Sequence, residues 1–357
     1  MRKRAILILI AAGVVAAVIL AVVLLRHSKP PATLTLLPPA DAYLYFNVAT
    51  VRRASVIGDL PKVEFEPEYA EFVRQTGFNL ERDLDEAAFA LQRSATSSNP
   101  QQSDWRNTGV FTANFDRGKV DAYLKKTASG TETYRNTTIY VIPLPGRTVR
   151  VAILDKRTVA ATNTDGPYVM QGILDRQAQS SGGTPDLIHT YYANIPWGSL
   201  AWTIARPPAT TPGGNARLEL PGGIGIFLPA DTVVVASLRY LGSVDFHAQA
   251  FTTTDDAARR VADQLSAFLA LFRALENAQA HGNDADVRSF FDSIRVTREG
   301  NRAEMQATVP AGFVKKLVAN TPAAGIMTQP SNAAPQKPST NTEPRSSPKP
   351  LPGKERR

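Results

Sequence analysis

The sequence contains no cysteine in 357 residues. Disulfide bonds, thiolate metal sites and thiol catalysis are therefore excluded. There are only four histidines, and none has the HExxH spacing of a zinc hydrolase. The chain also lacks a GxSxG nucleophile motif and a phosphate-binding loop with its lysine. No motif specifies a reaction, so we predict a protein that is not an enzyme and assign no catalytic, cofactor-binding or metal-binding residue.

The chain also lacks a basic body, although its formal net charge is +8. Residues 1–29 hold five basic and no acidic side chains, and residues 321–357 carry a net charge of +4, which leaves −1 for the rest of the chain. A nucleic-acid-binding domain needs a basic face on its folded body. The sequence therefore predicts no nucleic-acid partner.

What the sequence does contain is a run of 21 consecutive apolar or small residues between Arg4 and Arg26. A helix of about 20 residues spans the hydrocarbon core of a bilayer. The apolar region of a cleaved signal peptide is usually about 7 to 15 residues long and ends at small residues, whereas this run ends in branched residues at Leu25. We predict an uncleaved anchor that contacts the membrane through residues 5–25.

Basic residues are more numerous before this run than directly after it, and positive charge favours the cytoplasmic side. The predicted localisation is therefore the cytoplasmic (inner) membrane, crossed once, with the body on the periplasmic or extracytoplasmic side.

Two similar phrases, far apart in the chain, each precede a predicted strand. They read LPPADAYLYFNV at residues 37–48 and FLPADTVVVASL at residues 227–238. In each phrase an aspartate after Pro-Ala, Asp41 or Asp231, can accept backbone hydrogen bonds and close the turn before the strand. We interpret both aspartates as structural equivalents and not as site residues.

Both phrases are followed by strands, a helix and a hairpin, with hairpin turns predicted at Asp155-Lys156 and Gly300-Asn301. Helices are predicted at Pro67–Gln75, after a cap at Asp116, and after Thr253, where Val261 and Leu265 begin a buried stripe. The recurring order predicts an internal duplication.

The predicted fold class is α+β: an N-terminal transmembrane helix, then two related modules of antiparallel sheet with packed helices, and a disordered C-terminal tail. The predicted ranges are 1–29 for the anchor, 36–195 for the first module, 196–225 for a connector with one candidate strand near Trp202, 226–320 for the second module and 321–357 for the tail. The tail is rich in Pro, Ser, Thr and Lys, which cannot bury enough surface to offset ordering. It is either a solvated tether or a weak contact with anionic cell wall or lipid.

Three groups of side chains are candidates for chemistry or binding. Asp245 and His247 share one face of a predicted strand, but two ligands are too few for a metal site. A run of acids is typical of a solvated face; its members are Glu81, Asp83, Asp85 and Glu86. The aromatic stretch at residues 189–204 is consistent with either core or a binding surface.

In both phrases Leu-Pro and then Ala-Asp precede a predicted strand, and the whole body follows an N-terminal anchor. This layout resembles poorly characterised, single-pass, membrane-anchored bacterial envelope proteins. The resemblance covers the two phrases and the layout, brings no catalytic residues and implies an extracytoplasmic location.

We predict a non-catalytic, membrane-anchored envelope protein that acts as a binding or scaffolding component with protein partners in the envelope. The alternatives are an extracytoplasmic carrier of an apolar ligand, which needs an apolar cavity between sheet and helices, and an enzyme with an unrecognised site, which needs acids and a histidine converging on a pocket.

Overall fold

A computed structural model describes most of the body of the chain. The described residues are 29–53, 67–93, 105–144, 146–179, 183–208, 214–220, 224–240, 242–278, 285–310 and 312. The predicted anchor run at 5–25 and the predicted tail at 321–357 lie outside them. No helix within these ranges combines the length and the apolar character that a membrane crossing requires.

Helices in the described ranges are mostly short. They are α1 (Ala32–Thr35), α2 (Val48–Arg53), α3 (Pro67–Thr76), α4 (Leu80–Asp83), α5 (Arg117–Thr127), α6 (Tyr168–Gln179), α7 (Asp186–Tyr191), α8 (Asp255–Ala278) and α9 (Ala285–Ser293), with a 3-10 turn at Tyr192–Asn194. The start of α5 follows the predicted chemistry, because the Asp116 carboxylate accepts from the Lys119 amide at 3.1 Å. The cap of α8 is Thr254, one residue after the predicted Thr253, and its hydroxyl accepts from the Ala257 amide at 3.2 Å.

Strands make up the rest of the described architecture. They are β1 (Ala42–Asn47), β2 (Leu84–Arg93), β3 (Trp105–Ala113), β4 (Gly130–Tyr134), β5 (Thr137–Leu144), β6 (Arg147–Ile153), β7 (Thr158–Thr162), β8 (Ser199–Ala205), β9 (Ala216–Leu220), β10 (Ile224–Leu228), β11 (Val233–Tyr240), β12 (Val244–Phe251), β13 (Arg295–Glu299) and β14 (Arg302–Val309). Both predicted hairpins are confirmed, as β6–β7 and β13–β14.

Twelve strands form one continuous sheet in the order β13-β14-β12-β11-β8-β1-β2-β3-β7-β6-β5-β4, and β9 and β10 form a separate hairpin. Strand β8 pairs antiparallel with β1, with Tyr45 opposite Trp202, and on its other side with β11, with Ala236 opposite Thr203. The predicted fold class, an N-terminal transmembrane helix followed by two related modules of antiparallel sheet with packed helices, is therefore wrong. The described chain shows no transmembrane helix, and its modules share one sheet because the candidate strand near Trp202 joins them.

A repeat is present in the sheet, but it is shifted by one strand from the predicted one. The order β1-β2-β3-β7-β6 on one side matches β8-β11-β12-β14-β13 on the other. In both sets a helix, α5 or α8, follows the third strand, and the second strand of the hairpin pairs with that third strand. The strand after Asp41 therefore corresponds to β8, and not to the strand after Asp231.

The two aspartates also differ in local structure. The Asp41 carboxylate accepts a hydrogen bond from the Arg93 amide at 3.0 Å, so it joins the start of β1 to the end of β2. Asp231 has a left-handed backbone with φ of 61°. The prediction that they are structural equivalents is wrong, because the similar phrases lead into turns of different shape.

The main core lies on one face of the sheet. Side chains of α1, α6 and α7, including Leu34, Ile173 and Ile188, pack against strand residues such as Tyr43 and Ile204. These apolar residues alternate along their strands with residues of the opposite face, as expected for a period of two.

Two helices cover the ends of the opposite face. Val120 and Leu124 of α5 pack on β5 and β6. Val261 of α8 is buried against Ala250 and Ala303, and Leu265 packs at the same cluster, as the predicted stripe requires. Between the two helices, the rings of Phe46, Phe89 and Phe111 lie edge to face in sequence across β1, β2 and β3, with centroid distances of 6.3 and 5.4 Å.

Candidate functional site

A polar groove lies on the four strands at one end of the sheet. Antiparallel register places Ser237 and Gln306 on either side of His247. Asp245 lies two residues earlier on β12, with Arg239 opposite it on β11. Because side chains alternate between faces, these five residues share the face on which the main core lies. Polar residues thus replace the apolar ones where β11 and β12 extend past the core.

The groove has a volume of about 420 Å³. Its lining residues come from the four strands, from the end of α9 and from the turn before β8; they are Pro196, Ser237, Arg239, Asp245, Phe246, His247, Ser293, Arg295, Gln306, Ala307 and Thr308. This volume is within the range of about 300 to 1,000 Å³ that small-molecule sites occupy.

His247 and Glu304 form the best-defined contact beside the groove. His247 Nε2 lies 2.6 Å from Glu304 Oε1, and their side chains are only 20% and 17% exposed. Gln306 Nε2 donates to the same carboxylate oxygen at 2.7 Å. Burial alone would raise the pKa of Glu304, but the hydrogen bonds from Gln306 and His247 outweigh it and lower that pKa. Glu304 therefore acts as a charged acceptor that fixes the imidazole.

Asp245 has different partners from His247. Its carboxylate lies 3.8 Å from Arg239 Nη2, and the Thr308 hydroxyl donates to it at 3.4 Å. Asp245 and His247 share a face as predicted. Each side chain contacts residues of the neighbouring strands, and among the described residues the two have no partner in common. Within the described ranges, no cluster of three or more His, Asp or Glu side chains could hold a metal ion.

The predicted acidic cluster does not converge. Asp83 pairs with Arg82 at 2.7 Å, and the hydrogen bond from Arg82 lowers the pKa of Asp83 against the effect of burial. Asp85 pairs with Arg52 at 2.9 Å and also contacts Arg157. Asp83 therefore bonds within its own helix α4, whereas Asp85 contacts arginines from α2 and from the turn before β7.

The aromatic stretch at residues 189–204 divides between core and surface. Trp202 is 5% exposed and stacks on Tyr45 with a centroid distance of 5.4 Å. Tyr191 packs on Phe251 at 5.0 Å. Trp197, in contrast, is 64% exposed and directly follows Pro196, which lines the groove.

The residues that sequence reasoning missed are those contributed by neighbouring strands, chiefly Arg239, Gln306 and Arg295. Alternating polar residues at positions 237 and 239, in a strand that begins with valines, indicate that the buried face becomes solvated there. The order of β11, β12, β14 and β13 is needed to see that these alternations meet.

Comparison with known proteins gives few matches. No family model matches the chain. No curated protein matches it either. Among solved structures, crystal form III of TP0453 has a TM-score of 0.45 and 12% identity, over 82% of this chain and 99% of that chain. Crystal form I of TP0453 has a TM-score of 0.42 and 12% identity, over 82% and 98%. Both TM-scores lie under 0.5.

Proposed function

We propose that this protein is a non-catalytic binding component of the bacterial cell envelope, and that the polar groove is its binding site. The observation that supports the proposal most directly is the groove itself, a depression of about 420 Å³ whose polar side chains come from four adjacent strands. Sites built on strands hold their side chains more firmly than sites on loops.

Cross-strand contacts keep the groove in one arrangement before any ligand arrives. Glu304 fixes His247 at 2.6 Å, and Thr308 contacts Asp245. A binding surface that is ordered in advance loses less conformational entropy on association. This organisation favours recognition of a ligand or partner.

The carrier alternative is less well supported. A carrier needs an enclosed apolar cavity, whereas two open cavities of the described chain have polar linings. The second cavity, of about 310 Å³, includes Arg82, Asp83, Asn114, Asp116 and Lys119.

Two features of the sequence support the envelope location. The 21-residue apolar run and the basic residues before it favour a body outside the cytoplasm. Alkaline phosphatase fused after Met327 should be active in cells. An inactive fusion, together with an active cytoplasmic reporter at the same point, would contradict the location.

Binding can be tested by co-sedimentation of the detergent-solubilised full chain with isolated, insoluble envelope material. Arg295→Ser removes a cation that lines the groove, and we expect it to reduce the bound fraction several-fold. Arg298→Ser is a matched control, because it lies on the same strand but its odd spacing places it on the other face. Equal binding by both variants and the wild type would count against the groove as the site.

A further inference from the structure

We infer that the groove binds a neutral glycan, a chain whose sugar rings present hydroxyl groups and flat C–H faces. This inference rests on the proposed function, since it names the ligand class of the same groove. Charge balance, the donors and acceptors available, and the aromatic residue that follows Pro196 of the lining support it.

Charges of both signs lie at the groove. Arg239 and Arg295 contribute two cations, and Asp245 contributes an anion between them in the strand order. Glu304, held by His247, adds a second anion directly beside the lining. A phosphate or carboxylate ligand would approach Asp245, and a cationic ligand would approach the two arginines. A neutral polar ligand avoids both unfavourable contacts.

The lining offers the mixture of donors and acceptors that hydroxyl groups need. The guanidinium groups of Arg239 and Arg295 only donate, and the Asp245 carboxylate only accepts. Gln306 uses its Nε2 on Glu304, and its Oε1 supplies a further acceptor beside the groove. A sugar hydroxyl donates one hydrogen bond and accepts others, so adjacent hydroxyls of one ring can satisfy both kinds of partner.

An exposed indole directly follows Pro196, a residue that lines the groove. Trp197 is 64% exposed at the turn from Pro196 to Ser199, although isolated large aromatic side chains normally bury most of their surface. The turn is fixed, because the Ser199 amide and hydroxyl donate to the Pro196 carbonyl at 3.3 and 2.7 Å. Gly198 has φ of 77°, which the turn requires. The indole on this turn offers a flat apolar surface on which the C–H face of a sugar ring can pack.

The test titrates the full chain, in a detergent without a sugar headgroup, with two neutral oligosaccharides: chitohexaose and isomaltohexaose. Intrinsic tryptophan fluorescence and calorimetry report binding. We expect at least one oligosaccharide to bind, with an affinity at least ten-fold weaker for Trp197→Ala and for Arg295→Ser. The matched controls, Trp105→Ala and Arg298→Ser, should bind as the wild type does. Far-ultraviolet circular dichroism checks that each variant is folded.

Competition separates this inference from the proposed function. The oligosaccharide that binds should displace the protein from envelope material. If Arg295→Ser abolishes co-sedimentation but neither oligosaccharide binds or competes, the groove is a binding site and the glycan assignment is wrong. If inorganic phosphate binds in place of the sugars and depends on Arg295, the ligand is anionic and the inference is likewise overturned. If Arg295→Ser co-sediments with envelope material and binds the oligosaccharides as the wild type does, both proposals are overturned.

Discussion

The hydroxyl of Tyr45 on β1 and the carboxyl group of Glu86 on β2 lie close enough within the sheet for each to shift the pKa of the other. Burial raises the pKa of Glu86, and the interaction with Tyr45 only partly opposes it. Burial and Glu86 together raise the pKa of Tyr45. A carboxyl group with a raised pKa in the folded state takes up protons on folding, so ionisation of Glu86 destabilises the fold.

The first prediction concerns this carboxyl group. Ionisation of Glu86 should lower the unfolding free energy as the pH rises from 4.5, the ordinary pKa of a glutamate, through the higher pKa of Glu86 in the folded state. Over this range the folded state binds more protons than the unfolded state. Glu86→Gln should therefore raise the melting temperature at pH 7 by roughly 2 °C. The gain should shrink below pH 4.5, where the wild-type carboxyl group is neutral in both states.

Differential scanning calorimetry across pH 4 to 8 measures this effect. Glu81→Gln, on the exposed start of α4, is the control and should change the melting temperature little at any pH. A melting temperature for Glu86→Gln that falls below the wild type at pH 7 would show that the ionised carboxylate stabilises the fold.

The second prediction concerns the two aspartates in the similar phrases. Asp41→Ala removes the acceptor for the Arg93 amide, so it should cost about 1 kcal/mol of unfolding free energy. Asp231→Gly should not lower stability, because glycine adopts a φ of 61° more readily than aspartate does. Asp41→Gly should be at least as destabilising as Asp41→Ala. Urea titration of the four proteins provides the comparison, and equal losses at both positions would restore the equivalence of the two sites.

Local structure could be predicted from the sequence where neighbouring residues determine it. The Asp116 cap, the helix from Pro67 and both hairpins depend on short-range hydrogen bonds and spacing. The order of strands could not be predicted in the same way. Strand β8 pairs with β1 across about 160 residues, as in the Tyr45–Trp202 pair. The local sequence pattern of either strand does not identify the strand with which it pairs.

The candidate site was only partly predictable for the same reason. Alternation placed Asp245 and His247 on one face, but their partners Arg239 and Glu304 belong to strands whose positions depend on the whole sheet. The aromatic stretch shows a second limit. Composition treats Trp197 and Trp202 alike, whereas a fixed turn leaves one exposed and a strand buries the other.

The third prediction concerns cooperativity. Because β8 is paired on both sides, the halves of the sheet should unfold together in one calorimetric transition. Cleavage at a protease site introduced within residues 209–213 should leave the two fragments associated during size-exclusion chromatography without denaturant. Fragments that separate and keep independent melting transitions would instead support two modules.

The last prediction concerns Gly109, in the middle of the sheet beneath the Phe111 ring. A Cβ atom placed on Gly109 would lie 2.6 Å from Phe111 and 3.4 Å from Phe89. The ring of Phe111, two residues further along the same strand, covers the glycine in place of a side chain, and Phe89 lies opposite Gly109 on β2. Gly109→Ala must displace Phe111, which also lies 5.4 Å from Phe89, centroid to centroid.

We therefore expect Gly109→Ala to lower the unfolding free energy by about 1–3 kcal/mol, the usual cost of inserting a methyl group into a packed site. Gly130→Ala on β4 is the control, since apart from its chain neighbours no heavy atom lies within 4 Å of the position that its methyl group would take, and it should be neutral or stabilising. Combining Gly109→Ala with Phe111→Leu should recover part of the loss, because the smaller side chain frees the space that the methyl group takes. No recovery in the double variant would mean that the Phe111 ring is not the cause of the loss.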